Sequence, residues 1–150
     1  MSRSVDQSAD TEETVYEKYV LNVRVVEVTD GDDTRYRFEA PDHCGKTFED
    51  PEMATLYADV YFDVNGFVES ETGERGVPPK IIPAGRDTMV AYMRTLPGAD
   101  EDWVSCYFAE RPDKIKRLIR NVRARAEKVR AGVVEQDVAD RHGSRQNVEG

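Results

Sequence analysis

YVLNVRVVEVTDGDDTRYRF, residues 19–38, reads as two strands joined by a tight turn. Tyr19, Leu21, Val23 and Val25 alternate with Val20, Asn22, Arg24 and Val26. With β-branched side chains in the majority, this is the pattern of a strand that buries one face. Asp30-Gly31-Asp32-Asp33 supplies a turn whose glycine can take a positive φ. Tyr36 and Phe38 then alternate with Arg35, Arg37 and Glu39, which completes an antiparallel hairpin. A short third strand at 46–48 brings the sheet to the size needed for independent stability.

Downstream, Asp50 can cap the free N–H groups of a helix and Pro51 suits its first turn. Met53, Leu56, Tyr57, Val60 and Val64 recur at helical spacing, and Asn65-Gly66 is a stop signal. Residues 67–83, rich in Gly, Pro and charge, read as a linker or long loop. Three more helices are expected. Arg86–Leu96 carries Met89, Tyr92, Met93 and Leu96 on one stripe. Asp100–Ala109 is expected to bury Trp103, Val104 and either Phe108 or Tyr107. The last opens at Pro112 and places Ile115, Leu118, Ile119, Val122, Ala126 and Val129 on one face; ending at Ala131 it is about 30 Å long.

The expected class is α+β: an N-terminal antiparallel hairpin or three-stranded sheet with one helix, then a trihelical unit ending in a long basic helix. The boundaries are a polar tail at 1–14, the sheet-and-helix unit at 15–66, the linker at 67–83, the trihelical unit at 84–133 and a second polar tail at 134–150. Both tails lack an apolar period and are expected to be disordered.

Charge is the strongest functional clue. Thirty Asp and Glu against 21 Lys and Arg give a net charge of −9 over 150 residues. Yet Arg111–Arg130 holds nine basic and two acidic side chains, a local charge of +7. Such asymmetry points to a binding face on an otherwise repelling surface. The acidic composition, with 15 Arg against 6 Lys, resembles that of proteins from halophilic archaea, where hydrated carboxylates keep a chain soluble as salt screens charge. No run approaches the ~20 apolar residues of a membrane span, and the N-terminus lacks a signal-peptide apolar region. Cys44 and Cys106 make no disulfide framework. A cytoplasmic protein is expected.

Within Trp103–Ile119 the pattern resembles a helix-turn-helix DNA-binding domain. Ser105 stands where two helices cross, Ala109 opens a three-residue turn, and Ile115 and Leu118 pack back from the following helix. Two positions depart from the pattern: Ala109, where Gly is usual, and Glu110, where an apolar residue is usual. The resemblance implies double-stranded DNA as partner, and the helix 112–131 as the recognition helix. Arg111, Asp113, Lys116, Arg117 and Arg120 would reach base edges and phosphates, flanked by Lys114 and Arg123. Asp113 would accept from cytosine or orient Arg117, four residues on. The competing reading is a non-catalytic adaptor in which the same helix docks onto an acidic protein partner or self-associates as a homodimer, with Val122, Ala126 and Val129 exposed.

The hairpin, Gly45-Lys46-Thr47-Phe48 and the helix bearing Ala54 and Tyr57 also resemble, more faintly, the arm-binding domains of tyrosine recombinases. That resemblance implies Arg24, Arg35 and Arg37 as outward DNA contacts. Residues 40–47 fit a permissive phosphate loop only formally, because no buried parallel strand precedes Lys46 and the helix starts at Pro51. His43 and Cys44 lack the further ligands zinc requires, and no Ser/His/Asp set is present. Neither cofactor, metal nor enzymatic activity is therefore expected.

Overall fold

The computed structural model describes residues 11–41, 43, 45–67, 78 and 80–149, with side chains to residue 136. The strands β1 (Thr11–Lys18), β2 (Arg24–Asp30), β3 (Asp33–Glu39) and β4 (Lys46–Phe48) form one antiparallel sheet in chain order. The β2–β3 hairpin pairs Arg24 with Glu39 through to Asp30 with Asp33, and Gly31 takes a φ of 65° in its turn. Val25 and Phe38 pair across it on the buried face.

The sheet has one strand more than expected. β1 begins inside the stretch read as a tail, and all eight of its residues are exposed. It therefore shows no apolar alternation, and its backbone ladder to β2 holds it in place. Tyr19–Val23, read as strand, turns the chain from β1 to β2 instead. Leu21 and Asn22 both take positive φ, at 61° and 60°, and the Val23 N–H donates to the Val20 carbonyl at 3.3 Å. A leucine in the left-handed region is uncommon, so Asn22 is the one local hint of this turn.

Helix α1 (Pro51–Asp63) starts as read: the Asp50 carboxylate accepts from the Glu52 N–H at 2.9 Å, with Pro51 in the first turn. Asn65, at φ 59°, and the Gly66 N–H to Tyr61 carbonyl bond of 2.7 Å close its end. Three helices follow: α2 (Arg86–Arg94), α3 (Glu101–Phe108) and α4 (Pro112–Glu149). α4 runs past the expected ends at 131 and 133, over about 57 Å.

One core runs through the sheet, α1, α2 and α4, and Phe108 of α3 packs against it. Val25 and Phe38 from the sheet, Leu56, Tyr57 and Val60 from α1, Tyr92 and Met93 from α2, and Val122 and Ala126 from α4 belong to a single buried cluster. Ile81, from the stretch read as linker, joins it, whereas most of 67–83 lies outside the described residues. A smaller cluster of Val90, Ala99, Val104 and Ile115 seats α3 between α2 and α4. Trp103, expected in the core, is 43% exposed instead and stacks on Tyr107 with ring centroids 5.1 Å apart. An eight-residue helix seats only one side, and here that side carries Val104 and Phe108.

Carboxylates buried beneath α4 set its position. Arg125 donates to both Asp63 oxygens at 2.8 and 2.9 Å, to Asp87 at 2.6 Å and to Thr88 Oγ1 at 3.1 Å. The Thr88 hydroxyl donates in turn to Asp63 at 2.6 Å. Asp59, 5% exposed, accepts from Arg123 and Arg130, each at 2.7 Å. Arg130 also lies over the Tyr19 and Phe62 rings, at 5.0 and 5.2 Å. Among the described residues, no buried side-chain polar atom lacks a hydrogen-bond partner.

Removing one partner of a buried pair leaves the other charge uncompensated. Asp63→Ala should therefore cost ~2 kcal/mol in urea unfolding, less than a fully buried pair because Arg125 is 42% exposed. The Arg125 hydrogen bond holds the Asp87 carboxyl below the ordinary 3.8. Its contribution is thus present above pH 3.8 and lost as pH falls below it. Burial raises the Asp59 carboxyl despite its two arginines, so its pH dependence has the opposite sign. Asp87→Asn should flatten the acid limb of the stability curve.

Candidate nucleic-acid interface

The turn joining α3 to α4 spans Ala109–Arg111. Ala109 adopts the left-handed conformation, φ 55° and ψ 44°, where glycine is the usual occupant. The Glu110 N–H bonds the Ser105 carbonyl at 3.0 Å and the Ala109 N–H bonds the Cys106 carbonyl at 3.2 Å, so the helix end is satisfied despite the alanine. The Ser105 hydroxyl donates to the Glu110 carbonyl, fixing the turn to the helix before it. The Glu110 carboxylate accepts from Arg86 at 3.1 Å and pairs with Lys114 at 3.3 Å. Ile115, fully buried, holds the first turns of α4 against Val104.

The seven residues read from the sequence separate into three groups. Arg117 and Arg120 are exposed and, among the described residues, carry no ion pair. Arg111 and Asp113 are also exposed but face each other at 3.8 Å, so Asp113 orients Arg111 rather than Arg117. Lys114 is drawn back to Glu110, and Lys116 lies 3.8 Å from Glu101. These surface pairs are weak and open to exchange. Arg123 belongs elsewhere: it is one of the two arginines bound to buried Asp59, and it also donates to the Glu52 carbonyl at 3.3 Å.

Lys128 lies outside the stretch that resembles a helix-turn-helix. It is exposed, without an ion pair among the described residues, and eleven positions after Arg117. At 100° per residue that places it about 20° around the helix from Arg117. The outward stripe of α4 is thus Asp113, Arg117, Arg120, Asn121, Ala124 and Lys128. The opposite stripe is internal, with Val122 and Ala126 fully buried and Val129 packed against the same core. An adaptor surface along those three residues is not exposed.

The sheet offers no comparable face. Arg24 pairs with Glu39 at 2.7 Å, Arg35 with Asp33 at 3.1 Å, and Arg37 with Glu13 and Glu39 at 2.9 and 2.6 Å. His43 is part of the fold. Its Nδ1 accepts from the Gly45 N–H at 3.2 Å, which leaves the proton on Nε2 to donate to the Tyr57 hydroxyl at 2.8 Å. Lys46 Nζ lies over the Tyr57 and Tyr92 rings, at 5.4 and 5.8 Å. Among the described residues no cluster of His, Cys, Asp or Glu could hold a metal ion, and no helix is long and apolar enough to cross a membrane. No family model, curated protein or solved structure matches this chain.

The two classes of arginine should respond differently to truncation. Arg123→Ala should lower the urea midpoint, because it removes one of the two arginines bound to Asp59. Arg117→Ala/Arg120→Ala should leave the midpoint within ~0.5 kcal/mol of the parent, as for surface positions without structural partners.

Proposed function

We propose that this chain is a DNA-binding regulator or accessory protein that presents the outward face of α4 to double-stranded DNA. The observation that carries this reading is the free state of Arg117 and Arg120, both exposed and without an ion pair among the described residues of an acidic chain. The other arginines of α4 up to residue 130, Arg123, Arg125 and Arg130, have acidic partners, as does Arg111 in the turn before it. Arginine pairs bidentately with guanine in the major groove, or neutralises phosphate as a lysine does. The Pro112 start, the satisfied turn at Ala109 and the buried Ile115 give the first turns of α4 a rigid base. In this role Arg111, Lys114, Lys116 and Lys128 supply phosphate contacts around Arg117 and Arg120, and Arg123 supplies none.

Fluorescence anisotropy with labelled mixed-sequence duplex DNA, titrated in KCl, tests this reading. The parent protein should bind at low salt and weaken steeply as salt rises, with a log–log slope of about −0.9 per phosphate contact. Arg117→Ala/Arg120→Ala, checked for folding by circular dichroism, should bind at least about tenfold more weakly, with a shallower slope. Absence of binding at low salt by a folded parent protein would refute the proposal.

A further inference from the structure

A groove of about 320 Å³ runs beside the outward face, between α1 and α4. Its floor is apolar, formed by Met53 and Leu56 of α1 and Ile119 of α4. Its rim is basic: Arg94, Lys116 and Arg120 stand around it, with Arg123 behind them spent on Asp59. Arg94 donates to the Ala99 carbonyl at 3.3 Å and to Met53 Sδ at 3.2 Å; among the described residues, neither it nor Arg120 meets a carboxylate. Glu52 and Glu101 complete the rim, and Glu101 already faces Lys116 at 3.8 Å. The rim is net positive although the chain as a whole carries a charge of −9.

We propose that this groove docks an acidic protein segment that carries an apolar anchor. The anchor's methyl groups would cover Met53 and Ile119, while flanking Asp or Glu side chains pair with Arg94, Lys116 and Arg120. Charge complementarity selects this occupant: a basic segment would face the rim's like charge, and a nucleic-acid backbone has no use for the apolar floor. The inference does not depend on the DNA reading. Arg120 and Lys116 belong to both surfaces, however, so a docked segment would withdraw one of the two free arginines and one phosphate contact from DNA.

The probe is a short fluorescein-labelled peptide with leucines along one helical face and aspartates and glutamates elsewhere, measured by polarisation against the full chain. Lys116→Glu should weaken it at least tenfold, since Lys116 is 58% exposed and its reversal leaves the core untouched. A peptide with serine in place of leucine should lose binding to a similar degree. Arg117→Glu, a charge reversal on the neighbouring stripe, should leave peptide affinity within about twofold. No peptide binding by the folded parent chain would overturn the proposal. So would equal losses from Lys116→Glu and Arg117→Glu, or equal binding of the serine peptide, since each indicates diffuse charge attraction. Loss of duplex-DNA binding on Lys116→Glu without any peptide binding would assign the groove to the nucleic-acid surface and overturn it too.

Discussion

Two aspartates on α1, Asp59 and Asp63, are roofed by α4, and the molecule depends on how their charge is met. A carboxylate taken out of water is costly unless oppositely charged hydrogen-bond donors reach it with good geometry. The two stand four residues apart on one helix, and three arginines of α4 reach them from both sides of its apolar stripe. Arg123 and Arg130, seven residues apart, close on Asp59, while Arg125 forks onto Asp63 and continues to Asp87 at the start of α2. A slide of α4 by one turn would move every donor about 5.4 Å from its acceptor. Apolar packing alone tolerates such slides better, so the charges specify the register in which Val122 and Ala126 enter the core.

That register has a consequence for the surface. With Arg123, Arg125 and Arg130 turned to the interior flanks, Arg117, Arg120 and Lys128 are left on the far side in solvent. The basic run therefore divides three ways. Arg123, Arg125 and Arg130 neutralise buried acid and join α4 to α1 and α2; Arg111, Lys114 and Lys116 sit in weak surface pairs; Arg117, Arg120 and Lys128 lie uncommitted on the outer stripe. Counting charge along the chain merges them, and it overstates the basic field available to a ligand.

The hairpin was legible because Val25 and Phe38 alternate with charge around a glycine turn, and α1 because Asp50, Pro51 and Asn65-Gly66 punctuate it. β1 was not, because an edge strand with eight exposed residues has no apolar period. The turn before β2 was missed because it uses Leu21 and Asn22 rather than glycine. Outward placement of Arg117 and Arg120 followed from helical periodicity, given Ile115 and Leu118 as the inner face. Arg123 could not be assigned in that way. It flanks the buried stripe on a helix where flanking positions are normally solvated, and its partner Asp59 is 64 residues away. On α1, Asp59 and Asp63 look like ordinary polar positions, and only the arrival of α4 makes them interior.

Native-state hydrogen exchange tests most directly whether these pairs make α4 part of the body. The amides of residues 122–130 should open with the same free energy as those of 56–62 on α1 and 90–93 on α2, as one cooperative unit. Exchange of 122–130 at a free energy well below that of α1, with the sheet and α1 still protected, would contradict it.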